Sequence, residues 1–255
     1  LTDSSELVLA GYPDSGATAA WREVDEIGPS DFWSSRYDSV HLDWEPQVSF
    51  GNDDRLIIRD LRLVADRSGN LMAVWHHSDG VEDSIWANRY DWDLGWRGAE
   101  VIEPDSGVPP NAEVAMDPAG NAVVVWTHWD ADASDQNIMA RRYDNRGGWE
   151  SAETIDEGFG SASAPHVAMD PAGNAMALWV QLTETLPYTN DIWSSHYDVS
   201  TGQWAEPELV ETLDGVPFDP QVTMDGEGNA IAVWRQRHDT LLHYDIWANH
   251  WAPRP

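Results

Sequence analysis

Apolar and polar positions follow one pattern five times along the 255-residue chain. A short apolar run meets a turn of Asp, Pro, Gly and Asn, and a second, nearly continuous apolar run closes on Trp. The clearest copies are PNAEVAMDPAGNAVVVW (Pro110 to Trp126), PHVAMDPAGNAMALW (Pro165 to Trp179) and PQVTMDGEGNAIAVW (Pro220 to Trp234). LRLVADRSGNLMAVW ends at Trp75, and a degraded copy, LVLAGYPDSGATAAW, ends at Trp21. The five tryptophans are 54, 51, 53 and 55 residues apart. Such a period describes stacked supersecondary units, not one mixed core. Gly and Asn supply the positive φ of a tight turn and Pro presets its first position, so each copy opens with a β-hairpin, strands a and b. The unbroken apolar character of strand b predicts cover on both faces.

After a variable polar segment comes a third signature: DFWSSRYD (Asp31 to Asp38), SIWANRYD (Ser84 to Asp91), NIMARRYD (Asn137 to Asp144), DIWSSHYD (Asp191 to Asp198) and DIWANHW (Asp245 to Trp251). Its alternation of large apolar and polar residues predicts a half-buried strand c. Trp44, Trp96, Trp149 and Trp204 then lead into a short strand d, such as Pro207 to Val210. Four antiparallel strands in about 50 residues, five times over and without helical periodicity, predict an all-β, five-bladed β-propeller. Linear β arrays and paired sandwiches are the alternatives; a sandwich needs no near-identical hairpins at this spacing. The expected repeats are 1–54, 55–109, 110–163, 164–218 and 219–255 of a single domain. The fifth lacks strand d, so either one blade is three-stranded or the natural protein continues past Pro255.

The hairpin DxxGNAxxVW, the [DN]IWAxRYD strand and the GW-led fourth strand together resemble propeller repeats of secreted bacterial proteins of unassigned role. More distantly they are similar to five-bladed tachylectin-type lectins and to the Asp-box propellers of sialidases. The Asp-box is matched in part: Asp117 to Trp126 supplies the Asp, Gly and Trp, with a longer Gly-to-Trp spacing. Those resemblances imply glycan binding or glycoside hydrolysis, and a secreted, periplasmic or cell-surface location. No basic and apolar leader is visible from Leu1, so the expected chain is a mature product or an excised fragment.

Composition narrows the partners. With 14 Arg, no Lys and 45 Asp plus Glu, the formal charge is −31, which disfavours nucleic acid and anionic lipid. No stretch is long and apolar enough for a membrane helix, so no membrane insertion is expected. Without Cys there is no disulfide framework and no Cys-ligated zinc.

Fourteen of the 16 Trp occupy repeat positions and read as packing residues; Trp92 and Trp129 fall outside. Tyr37, Tyr90, Tyr143 and Tyr197 are framework by the same reasoning. Of the remaining aromatics, Trp129, Tyr188 and Tyr244 lie in b–c loops, and Phe50, Phe159 and Phe218 in d–a loops. In an antiparallel blade these loops emerge at one end, where the copies also diverge most. An aromatic plate beside polar groups suits a sugar, so the candidate ligand residues are Trp129 with Asp130 and His128, Tyr188 with Gln181 and Asn190, and Tyr244 with Arg235 and His238. Several modest sites would gain from avidity.

Near-identical repeats and the absence of a marked carboxylate pair argue against an enzyme, and no cofactor is expected. A calcium role is weakly indicated: Asp130, Asp132 and Ser134 begin like a calcium loop, but Asp135 and Arg141 stand where its Gly and Glu belong. His76, His77, His128 and His238, all in b–c segments, are the candidates for a transition metal. The alternative to glycan recognition is a protein-interaction subunit, its open fifth blade offering an edge to a partner strand.

Overall fold

The computed structural model describes residues 6–13, 16–24, 30–51, 57–78, 83–104, 111–130, 135–156, 160–182, 189–211, 215–237 and 243–253. Among these the fold is all-β. The first sheet comprises β1 (Leu7–Tyr12), β2 (Gly16–Val24), β3 (Ser30–Asp38), β4 (Asp43–Trp44) and β5 (Val48–Ser49). The second comprises β6 (Ile57–Ala65), β7 (Leu71–Ser78), β8 (Asp83–Asp91), β9 (Gly95–Trp96) and β10 (Glu100–Glu103). The third contains β11 (Glu113–Met116), β12 (Ala122–Asp130), β13 (Asp135–Asp144), β14 (Gly148–Trp149) and β15 (Glu153–Thr154). The fourth contains β16 (Ala162–Met169), β17 (Ala175–Leu182), β18 (Asn190–Asp198), β19 (Gln203–Trp204) and β20 (Glu208–Leu209). The fifth is β21 (Val216–Met224), β22 (Ala230–Arg237) and β23 (Tyr244–Trp251), three strands as its sequence predicts.

Strands a, b and c fall where the pattern places them; strand d does not form a single run. It is two short pieces, both paired with strand c: in the first sheet Trp44 faces Tyr37 and Ser49 faces Trp33. Pro46 and Pro207, which have no N–H to give a ladder, sit in the break of the first and fourth sheets. Strand a carries an irregularity of its own. Asp60, Ala164 and Asp219 adopt φ of 57°, 51° and 50°, and each marks a register shift against strand b. These are β-bulges, which bend the strand near its loop end.

The chain divides into two compact units. One holds the first two sheets, through Ala112, together with Pro118–Gly120; the other holds Glu113–Asp117 and everything from Asn121 on. Within each unit, strand a of one sheet lies across strands a to c of the sheet before it: β6 on β1, β2 and β3 in the first unit, and β16 on β11–β13 and β21 on β16–β18 in the second. In the first unit Ala20, Phe32 and Phe50 of the first sheet pack against Ile58, Leu61, Ala73 and Trp75 of the second. Trp75, Trp126 and Trp179 are wholly buried, which accounts for one Trp at the end of every strand b. Every residue of β7 is buried, as a strand covered on both faces must be.

The repeated DPAGN turn is a lock built from its own side chains. Asp170 Oδ1 accepts from the amides of Ala172 (2.8 Å) and Asn174 (2.9 Å), and its Oδ2 accepts from Asn174 Nδ2 (2.7 Å). Asn174 Oδ1 in turn accepts from the Val199 amide in the c–d turn (3.0 Å). Asn70 receives the Trp92 amide and Asn121 the Asn145 amide in the same way. Gly173 sits at φ 95°, a conformation a side chain would strain. The Asp and Asn of the motif therefore join the two turns of a sheet at one end.

Candidate functional site at the loop end

The b–c and d–a segments meet at the other end of each sheet. In the first unit the second sheet builds a polar chain there around a buried histidine. Arg59 Nε donates to His76 Nδ1 (2.7 Å), and His76 Nε2 lies 2.6 Å from Asp83 Oδ1. The imidazole side chain is wholly buried, and that burial lowers its pKa. With Nδ1 accepting from Arg59, the ring donates from Nε2 to Asp83. The two partners occupy both nitrogens, leaving His76 no lone pair for a metal. His77 lies against the Trp86 ring, centroids 4.9 Å apart. Nearby, Arg22 Nη1 donates to the Ile58 carbonyl (2.7 Å).

In the second unit the third sheet places Trp129 opposite Gln136 and His128 opposite Asn137 at the rim, both half-buried. Asp130 pairs with Asp135 through the backbone. Asp135 caps the Gln136 amide (2.8 Å) and accepts from Ser161 Oγ (2.5 Å). Asp156 is 6% exposed, and among the described residues no side chain hydrogen-bonds to either of its carboxylate oxygens. Burial raises its pKa to about 6, and the Asp135 charge adds to the shift.

In the fourth sheet Gln181 is buried and its amide serves the framework. Oε1 accepts from the Trp179 indole (2.8 Å), and Nε2 donates to the Gly160 carbonyl. Gln236 receives the Trp234 indole in the same way (2.7 Å). The side chain named as a sugar partner therefore locks the strand-b Trp. Asn190 is half-buried, paired with Leu182. Tyr188 and His238 lie outside the described residues, as does Phe159.

The fifth sheet carries the most open group. Tyr244 is 53% exposed, Arg235 lies over its ring at 5.5 Å, and Phe218 meets it edge-on at 6.0 Å. Arg235 is also ion-paired with Asp219, the residue of the strand-a bulge. An exposed ring flanked by a guanidinium and a carboxylate offers stacking and hydroxyl-directed hydrogen bonds together. Phe50 departs from the expectation of a loop aromatic. It is buried, stacked on Trp96 at 4.1 Å, and belongs to the core.

Among the described residues no group of three or more His, Cys, Asp or Glu is placed to hold a metal ion. A cleft of about 380 Å³ at the turn end of the first unit is lined by Tyr12, Arg36, Glu45 and Trp92. There Arg36 covers the Trp92 ring at 3.9 Å, so this non-repeat Trp stacks on an arginine of its own chain.

No family model matches the sequence, and no curated protein does. Solved structures do share its fold. A polysaccharide lyase described as an ulvan lyase matches with TM-score 0.62 at 10% identity, over 94% of this chain and 67% of that one. The α-L-arabinanase of Penicillium chrysogenum, solved with arabinobiose, matches with TM-score 0.52 at 13% identity, over 94% of this chain and 77% of that one. The NanB sialidase of Streptococcus pneumoniae matches with TM-score 0.54 at 9% identity, and this chain spans 61% of its length. At such identities the likeness shows the fold, an all-β propeller type. It also corrects one expectation. Repeated, near-identical blades were expected to argue against an enzyme, yet a lyase, an arabinanase and a sialidase share this architecture.

Proposed function

We propose that the chain is a carbohydrate-directed protein that takes its ligand at the b–c and d–a loop end, in an extracellular or cell-surface setting. The observation that carries this reading is the exposed Tyr244 group, with Arg235, Phe218 and Asp219 around one ring. Trp129 and His128 provide a second, half-buried aromatic and polar pair in the same unit. Support from fold comes from neighbours named for glycan substrates. A net charge of −31 favours an uncharged glycan over a polyanionic one, because like charges repel across the whole surface. The arabinan-type neighbour therefore fits this charge better than the acidic-sugar ones.

The test is a glycan array run with calcium and with EDTA, followed by incubation of each bound glycan and measurement of new reducing ends. Saturable binding to neutral glycans that survives EDTA supports aromatic-plate sites. Loss in EDTA moves the ligand contact to a calcium ion held by carboxylates. New reducing ends add turnover to recognition. A blank array under both conditions overturns the proposal.

A further inference from the structure

Four of the five sheets close the a–b turn with the same Asp and Asn; the first does not. Its turn places Tyr12 opposite Gly16, where the second sheet has Asp66 and Asn70. Gly16 leaves the space to the tyrosine, since a Cβ there would lie 2.0 Å from the Tyr12 ring. The c–d turn of the second sheet departs from the repeat as well. Trp92 gives its amide to Asn70 as Val199 gives its own to Asn174, so a Trp stands where the fourth sheet has Val.

These departures meet in one place inside the first unit. A Cβ on Gly69 would come within 3.3 Å of Tyr12 and 2.8 Å of Trp92, as one on Gly173 would come within 3.3 Å of Asp117 and 3.4 Å of Val199. Tyr12 and Trp92 therefore take the places of an Asp and an aliphatic residue where one turn packs on the next. Their rings meet edge-on at 6.0 Å. Arg36 lies over Trp92 at 3.9 Å, ion-paired with Glu45 and 3.5 Å from the Tyr90 hydroxyl. Its side chain is 21% exposed, whereas that of Arg142, over Tyr197 at 4.5 Å in the second unit, is 7% exposed. Around these groups opens the cleft of about 380 Å³, within the roughly 300 to 1,000 Å³ of small-molecule sites.

We propose that this cleft is a second, weaker carbohydrate site, taking a short neutral oligosaccharide at the turn end of the first unit. The ligand class rests on the carbohydrate function proposed above; the location does not. Proteins break their own local rules chiefly at functional sites, and the first sheet gives up a lock that its four sisters keep. What it gains is a Trp ring, 45% exposed, held in place by Arg36 and Tyr12 before a ligand arrives. A ring fixed in advance loses little freedom on binding. Beside it the Arg36 guanidinium and the Glu45 carboxylate offer a donor and an acceptor to sugar hydroxyls. Among the described residues the charged members of the lining are Arg36, Arg67, Asp38 and Glu45, two of each sign. In a chain of formal charge −31 this is a locally balanced surface, which suits an uncharged ligand.

Amide chemical shifts of the full chain, titrated with arabinobiose, xylobiose, cellobiose and maltose, test the two ends of the sheets separately. Saturable shifts at Gly69 and Trp92 are expected with at least one sugar, in wild type and equally in Tyr244→Ala. Read at Gly69, saturation is expected to need at least about tenfold more sugar in Trp92→Val and in the double variant Tyr12→Asp, Gly16→Asn. The double variant carries the turn residues of the other four sheets, so it keeps its fold, and unchanged amide shifts at the loop end report that. Shifts at Arg235 and Tyr244 without any at Gly69 or Trp92 overturn the cleft and leave the carbohydrate function standing. No saturable shift at either end overturns both. Wild-type affinity at Gly69 in either cleft variant overturns the proposal, as does loss of the Gly69 shifts in Tyr244→Ala.

Discussion

The two ends of the sheets obey different rules. At the turn end, Asp66, Asp117, Asp170 and Asp225 each accept from the Asn four residues on, with the same Nδ2 bond of 2.7 to 2.8 Å. At the loop end the sheets share a Trp–Gln lock only in the fourth and fifth, and their other polar groups differ. The second has Arg59–His76–Asp83, the third Asp135 with Ser161, the fourth Gln181 with Gly160, and the fifth Arg235–Asp219 beside Tyr244. One end repeats a single solution because every sheet must close its turns. The other is free to vary on a fixed scaffold, which is where recognition is usually placed.

The largest effects should come from breaking the turn lock where it is buried. Asp117 and Asp170 are 2% exposed; replacing Asp170 by Ala leaves the Ala172 and Asn174 amides and Asn174 Nδ2 without their acceptor, and replacing Asp117 leaves the Asn121 amide and its Nδ2. Urea unfolding should show a loss of about 3 kcal/mol for each. Asp225 makes the same bonds but is exposed, so Asp225→Ala should cost much less than Asp170→Ala. Equal costs at Asp170 and Asp225 would mean that burial does not set the strength of the lock.

Asp156 should behave in the opposite direction. Its folded pKa of about 6 lies above the ordinary 3.8, so the folded state holds the proton more tightly. That contribution is complete below about pH 4 and is lost as pH rises through 6, a span worth about 3 kcal/mol. Asp156→Asn should therefore match wild type near pH 4 and exceed it in stability at pH 7.5, by about 2 kcal/mol. A variant no more stable than wild type at pH 7.5 would show that the carboxylate is not strained by burial.

Smaller effects separate lock from site within the loop end itself. Gln181→Ala should cost about 2 kcal/mol, because the Trp179 indole and the Gly160 carbonyl both lose a buried partner. Tyr244→Ala, at a half-exposed ring, should change stability by about 0.5 kcal/mol or less while weakening glycan retention. If Gln181→Ala proved neutral and Tyr244→Ala severe, their roles would be reversed.

The hairpins and strand c are legible because period-two alternation and turn residues act locally. The tryptophans closing strand b were legible as packing residues for the same reason. Phe50 lies in the d–a connection as its position suggests, but its burial depends on Trp96, 46 residues away, which no local pattern reports. The strand-a bulges escaped notice because Asp60, Ala164 and Asp219 take positive φ without being glycine. Gln181 looked like a sugar partner by type. Its spacing from Trp179, repeated as Trp234 and Gln236, was the available signal of a lock. Asp83 and Arg59 reach His76 from opposite sides, across 7 and 17 residues, so that network appears only when the strands are paired.

The claim that the loop end carries the ligand is tested most directly by one measurement: glycan retention and melting temperature of the Trp129→Ala, Tyr188→Ala, Tyr244→Ala triple variant beside wild type. The account predicts that retention falls at least about tenfold, the loss of about 1.4 kcal/mol of binding, while the melting temperature moves by a few degrees. Retention equal to wild type in a folded triple variant would contradict it.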